Sequence, residues 1–450
     1  MLPRARFHIA FPIFIAFVVT IPALAQVEAS AIGSTGSSLD ESEMMTPPPV
    51  SGVPYANTAS SDVRSNFLET NVTFSPAYID NVLPGFGSVP VSEVTYSIVP
   101  SLALDHSAPR QQERLTYSPS FNFYEPTSSL NSVDQNASAS YLYRFNPKVS
   151  FTLQDSFARI SNVYGSSYVF SGTVTGSTLA PSPTVIAPFA EQIVNTVNGV
   201  LSYQFALNAM IGGGGSFNIF DLPNPANAQG LSNSHGGTGV LFYNRRLTRA
   251  QYVGLQYQYS RTLASPSNGV SETQTHSLLP FYTLYFSQAS SLSLTAGIER
   301  VETTAPQSPA YNSWTPTGAA SIGWQGDRGN VAASYSRTVS AGEGLLGAYY
   351  LNSASASGGW KFGSAWSGEV SAGYSGISSA TPVSNSSVRS GNTLTAEASI
   401  QHSIGEHLTA SFQYQHLRET YSNIAVISED PDSNRESFTI TYQLRKPLGR

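Results

Sequence analysis

The 450-residue sequence contains no cysteine. That excludes disulfide stapling, thiolate metal sites, cysteine nucleophiles and lipidation of an N-terminal cysteine, so packing and backbone pairing must carry the fold. Charge is scarce too: 11% of residues are charged, against ~25% in an ordinary soluble domain. The balance is acidic, −6 in formal charge, with neither a basic nucleic-acid footprint nor a polybasic membrane patch. Past residue 25 no apolar run approaches the ~20 residues of a spanning helix. If the mature chain lives in a membrane, it must cross as strands.

The one long apolar run lies at the start. Arg4 and Arg6 precede "IAFPIFIAFVVTIP", and Ala23–Ala25 offers a small-residue cleavage site before Gln26. Residues 1–25 read as a secretory signal peptide. Its removal takes away two arginines and no acids, leaving 20 basic against 28 acidic residues, a formal charge of −8. Residues 26–66 are poor in large apolar side chains and rich in Ser, Gly and Pro, with "DESEMMTPPPV" at the centre. Such a segment buries too little surface to offset its ordering entropy and reads as a disordered periplasmic lead, with a docking arm or pore plug as the functional alternative.

What is abundant is alternation. In "LTASFQYQHL", Leu408, Ala410, Phe412 and Tyr414 share one side of an extended strand, and Thr409, Ser411, Gln413 and Gln415 the other. The same pattern sets Leu115, Tyr117, Phe121 and Phe123 against Thr and Ser. It also sets Val253, Leu255, Tyr257 and Tyr259 against Gly and Gln, and Phe438, Ile440, Tyr442 and Leu444 against Thr and Gln. Strands are expected near 67–80, 92–104, 112–124, 136–146, 148–160, 197–208, 210–220, 237–247, 251–263, 273–286, 290–303, 315–325, 329–340, 348–362, 365–378, 391–403, 407–419 and 434–444.

Tight turns at Asn146–Lys148, Leu247–Ala250, Ser287–Ser290, Gly326–Gly329, Gly363–Ser364 and Gly405–Glu406 alternate with longer connections such as Ser161–Thr196, Asp221–His235, Ala305–Asn312 and Ser379–Ser390. Short turns at one end and long loops at the other are the asymmetry of an outer-membrane barrel. A soluble sandwich predicts the same alternation. Against it, the polar faces are uncharged and aromatics favour strand ends, as girdles would. Residues 67–450 therefore read as an all-β, transmembrane, antiparallel up-and-down β-barrel of about 18 strands, with 16 as the smaller alternative, in the bacterial outer membrane.

The stretch "VSEVTYSIVPSLAL…ERLTYSPSFNFYEPTSSLNSVDQNASASYLYRFNPKVSFTLQDSF", with the closing "ESFTITYQLRKPLGR", resembles outer-membrane proteins grouped as beta-barrel porins. The resemblance spans most of the chain after residue 67 and carries no catalytic signature. It implies an outer-membrane location and a pore, and some such groups are associated with exopolysaccharide export. One departure is that "RKPLGR" follows the last strand, where many barrels end on an aromatic read by the insertion machinery; Tyr442 and Leu444 stand as internal substitutes.

Candidate functional residues follow from strand parity. Arg144, Glu299, Glu369 and Glu397 point inward with Gln154, Gln204, Gln256, Gln258, Gln401, Gln413 and Gln415, a wall of amides with few charges that suits small neutral polar solutes. Arg159, Arg261, Arg300, Arg337 and Arg418 lie at the tops of upward strands on the outward parity. There they face outer-membrane lipids and the phosphates of lipopolysaccharide. Asp155 shares parity with Phe151, Leu153 and Phe157 and aims a carboxylate at lipid, unless a bulge shifts the register or it already sits at the outer interface.

Three motifs hint at other chemistry. Ser232, Ser234 and His235 in "GLSNSHGGTG", read as a surface loop, bring a hydroxyl beside a base without a third member to orient the imidazole. "HSIGEH" at His402–His407 is one residue too long for a zinc-hydrolase motif and falls in a turn. "IGGGGSF" at Ile211–Phe217 lacks the Gly-Lys-Ser/Thr ending of a phosphate loop; it reads as a turn, or as room for something bulky inside the barrel. No enzymatic activity, metal or cofactor is expected. Passive solute passage is the leading function. A structural or adhesive barrel sealed by its loops, a polysaccharide-export pore and a barrel-wall hydrolase are the alternatives.

Overall fold

A chain with this alternation and no long helix must pair its backbone between strands, and a sheet leaves two unpaired edges unless it closes. The computed structural model closes it. Residues 66–447 are described, apart from 83–89, 126, 162–190, 224–231, 266–268, 288, 305–309, 327, 343–344, 381–389 and 423–431. The expected signal peptide and disordered lead, and most of the Ser161–Thr196 connection, lie outside the described residues.

Eighteen antiparallel strands form one sheet. They are β1 (Phe67–Ile79), β2 (Glu93–Ala108), β3 (Gln111–Glu125), β4 (Ser132–Asn146), β5 (Val149–Ile160) and β6 (Gln192–Ala206). Next come β7 (Ala209–Asp221), β8 (Asn233–Arg246), β9 (Gln251–Ser265), β10 (Ser271–Tyr285), β11 (Ser290–Thr304) and β12 (Tyr311–Gln325). The last six are β13 (Gly329–Gly342), β14 (Leu345–Lys361), β15 (Trp366–Ser379), β16 (Ser390–Ile404), β17 (Leu408–Ser422) and β18 (Asp432–Pro447). Each strand pairs with its neighbours in sequence, and β18 returns to β1 from Phe67↔Pro447 to Ile79↔Arg435. Across that closing seam Thr73 bonds Thr441 (3.0 Å) and Ser75 bonds Thr439 (2.9 Å), and the Arg445 guanidinium lies 3.5 Å over the Phe67 ring.

The expected turns form one end of the barrel. Gly363 (φ 119°) and Gly405 (φ 70°) take the left-handed conformation that a side chain would resist. That end is periplasmic, and both ends of the barrel chain return to it.

The two faces differ as expected. Outside runs a belt of exposed apolar side chains, among them Val72, Leu115, Leu201, Leu255, Leu294, Ile322, Val370, Ile400 and Phe412. Inside, Ser, Thr, Asn and Gln predominate among the buried residues. Hydrogen bonds stitch that wall: Asn122 accepts from Ser97 (2.7 Å) and Ser120 (3.0 Å) and donates to Asp134 (3.0 Å), which accepts from the Ser161 N–H (2.8 Å). Apolar outside and polar inside is the reverse of a soluble domain. The barrel spans a membrane, with its aqueous side within.

Candidate functional site: a lumen crossed by the β13–β14 hairpin

Among these ladders one stops short. β12 and β13 pair only from Gln325↔Asn330 to Gly318↔Arg337, eight pairs. On its far side β12 stays paired with β11 as far as Tyr311, and β13 stays paired with β14 as far as Gly342. The outer ends of β13 and β14 therefore part from β12 together, while β14 stays paired with β15 as far as Tyr349↔Ser379, so the sheet bends along the β12–β13 seam. A bulge at Ala341/Gly342 and a left-handed Gly347 (φ 89°) accompany the bend.

The hairpin goes inward. Cα atoms of β13 come within 8 Å of β8 and β9, and those of β14 within 8 Å of β9, β10 and β11. Those strands lie too far around the wall to be reached except across the lumen. Val339, on the parity that faces lipid lower down β13, packs with Tyr350 against Val301 on the inner face of β11, together with Ala348 and Ala380. Glu299 fastens the contact: its Oε2 accepts the Val339 N–H (3.3 Å), and Thr275 and Ser277 also hydrogen-bond its carboxylate. That N–H is the one the lost β12 ladder would have taken.

The candidate pore residues all lie on inward parity, in different surroundings. Glu299 is 5% exposed beneath the hairpin, so the structure makes it a hairpin contact and not an open wall charge. Gln256 is buried beside Gln258 (3.4 Å). Glu397 accepts from Gln413, with Gln415 buried nearby and Glu369 close enough to interact electrostatically. Arg144 and Gln204 lie half-buried near the periplasmic end. Gln154 and Gln401 are exposed to the lumen, as are Ser138 and Ser156. Space remains along β4, β5 and β16, away from the strands the hairpin covers.

The glycines of "IGGGGSF" are not a turn. They lie inside β7, where a Cβ on Gly212 would sit 2.2 Å from the Phe242 ring, and a Cβ on Gly254 of β9 would sit 2.2 Å from Phe281. Bare backbone lets these rings lie flat on the inner wall, with Met210, Tyr252 and Tyr285 packed beside Phe242.

The "GLSNSHGGTG" motif is also corrected. From Asn233 it is strand β8 and not a loop, so Ser234 faces inward and His235 outward against Phe217 (6.4 Å). A hydroxyl and a base on opposite faces cannot exchange a proton. His402 stacks on Trp366 (4.2 Å) and His407 lies by Tyr442 (6.1 Å), so the "HSIGEH" histidines do not converge. The described residues contain no cluster of three His, Asp or Glu suited to a metal.

On the outward face four of the five rim arginines have carboxylate partners. Arg159 pairs with Glu191, Arg261 with Glu272 (2.8 Å), Arg300 with Glu302 and Arg418 with Asp432 (3.4 Å). Arg337 instead lies 5.2 Å over the Tyr350 ring. Asp155 needs no bulge: its register with Ala139 and Val197 is unbroken, and Asn195 donates to it (2.8 Å). Glu302 lies two residues from Arg300 on β11 itself, Glu191 just before β6, and Glu272, Asp432 and Asn195 on the neighbouring strand, where the sequence gives no sign of them.

No protein-family description matches this chain, and no curated protein matches it. Solved structures with a similar wall include Pseudomonas aeruginosa OpdK with vanillate, 10% identical, covering 84% of this chain and 99% of its own (TM-score 0.40). They also include P. aeruginosa OccK2 (OpdF) in complex with glucuronate, 9% identical, covering 84% and 98% (TM-score 0.42). The FrpB iron transporter of Neisseria meningitidis is 9% identical, covering 84% and 82% (TM-score 0.42). The likeness is one of barrel architecture and assigns no solute.

Proposed function

We propose that the protein is a porin-like outer-membrane channel for small polar solutes, narrowed by the β13–β14 hairpin. The observation that carries the reading is the closed barrel of 18 strands with a polar inner face, a size at which a barrel encloses water. Gln154, Gln401 and Arg144, with the Glu369–Glu397–Gln413 group, line the space left by the hairpin. Amides, hydroxyls and few charges favour neutral polar solutes over ions. Gln256 and Gln415, both buried, support the wall and not the passage. Outside, the arginine–carboxylate pairs form a rim at the lipopolysaccharide phosphates, with Arg159, Arg261, Arg300 and Arg418 as exchangeable partners for them.

Single-channel recording in planar bilayers tests the reading, comparing the intact protein with a variant whose residues 339–348 are replaced by a short polar turn. Steady conductance that rises in the variant is the expected result. Silence from both, with folding shown by heat-modifiable gel mobility, would overturn passive passage and favour the sealed structural barrel.

A further inference from the structure

The shortened β12–β13 ladder has a consequence on the lipid side. Above Gly318 the edge of β12 has no strand beside it among the described residues, and above Arg337 neither does the edge of β13. Val339 turns its N–H away from β14, so Arg337, two residues earlier, turns the same way, toward β12. Gly318 faces Arg337, and Pro316, two residues on, shares its edge. Pro316 has no N–H, which removes one donor that this opened edge would otherwise leave unpaired near lipid. The gap begins opposite Ile298 in the apolar row of β11 and continues past the Arg300–Trp314 pair at the outer rim.

The lips of the gap differ from the rest of the rim. On the β12 side stand Trp314, 63% exposed, and Pro316. On the β13 side stands Arg337, the rim arginine that has no carboxylate partner among the described residues; its Nε is buried without a hydrogen bond, and only the Tyr350 ring faces it. Upward from Arg337 the outward face of the hairpin turns under β11, and the contact between them is a closed apolar cluster of Val339, Tyr350, Val301 and Ala348. Behind it Glu299 presents a carboxylate. A cation at the lip and a closed apolar contact behind it, with the Glu299 carboxyl beyond, match a chain with one anionic head that enters tail first.

We propose that the β12–β13 seam is a lateral portal between the outer leaflet and the lumen, and that it takes a single-chain amphiphile with one anionic head group. The head rests at Arg337, the chain displaces Val339 from Val301, and Glu299 keeps the head from passing deeper. This route goes beyond the aqueous passage and does not depend on it.

The test uses the full-length mature protein in nanodiscs, with dodecanoate and dodecyl phosphate competing against a fluorescent undecanoate probe. Arg337→Gln is expected to weaken binding about tenfold or more, the size of a lost charge-assisted contact, while Arg418→Gln, away from the seam, leaves it unchanged. Dodecanol should bind both proteins equally. The absence of native cysteine allows a second variant, Val301→Cys with Val339→Cys, which oxidation locks and a reductant frees. Binding lost on locking and restored on reduction supports the portal, and the reduced form controls for folding. Equal affinity in Arg337→Gln and the parent, or binding that ignores the lock, would overturn it. Competition by one head group alone identifies the source as a carboxylate or a phosphate amphiphile.

Discussion

Removing the Glu299 carboxylate should loosen the hairpin. In the Glu299→Ala protein the Val339 N–H loses its acceptor, and with the β12 ladder ending at Gly318↔Arg337 no strand stands ready to replace it. A hydrogen bond to a charged group contributes about 1.5–3 kcal/mol, and a buried donor left unpaired costs a similar amount. Water meets that N–H once the hairpin lifts, so the penalty falls on the inward state alone. The balance between inward and lifted hairpin should move by roughly ten- to a hundredfold toward lifted. Glu299→Gln keeps an acceptor oxygen and should fall between the two.

Single-channel recordings at fixed voltage would show more time in the larger conductance level. Thr275→Cys, on the wall now 5% exposed, would react faster with a water-soluble thiol reagent in the same background. Unchanged occupancy and labelling in a folded Glu299→Ala barrel would refute the assignment of Glu299 as the fastening.

The remaining predictions concern the wall. Gly212→Ala and Gly254→Ala each place a Cβ 2.2 Å from an aromatic carbon and within 2.7 Å of a neighbouring carbonyl, so each should lower stability in urea by about 1–3 kcal/mol. Leu294→Arg, within the apolar row of β11, should cost about 2–4 kcal/mol in folding into vesicles, whereas Gln154→Arg on the lumen side should cost little; equal costs would mean that the faces are misassigned. Asn195→Leu leaves the Asp155 carboxylate without its 2.8 Å donor and should destabilise by about 1–3 kcal/mol, an effect Asp155→Leu in the same background should remove.

Strand number and facing were legible because both are local. A pleated strand repeats every two residues, so Phe412 and Gln413 declare their sides without reference to any other strand, and lipid outside with water inside fixes which side is which. The strands expected at each of the eighteen places are present, and Gln154 and Gln401 lie on the lumen side where alternation put them. The "SNSH" motif misled because glycine and serine serve turns and barrel strands alike; Ser234 and His235 were neighbours in sequence but not in space.

The hairpin was missed for a different reason. "SAGEGLLGAYY" looked like one more connection between two strands, and its clue was the apolar run Leu345–Tyr350 at the shortest of the outer connections, two residues between β13 and β14.

The sequence by itself determined a wall of about 18 strands, with 16 left open, its inner and outer faces and its short-turn end, since each follows from periodicity and turn chemistry over a few residues; the closed count of 18 came from the structure. Only the tertiary structure decided that β13 and β14 part from β12, that Glu299 holds them, that Phe242 and Phe281 lie over glycines, and that Arg337 has no carboxylate partner among the described residues where its fellow rim arginines do. Each of these depends on which distant strand competes for a backbone edge or a side chain. Val339 and Glu299 are 40 residues apart, and no local pattern records their meeting across the lumen.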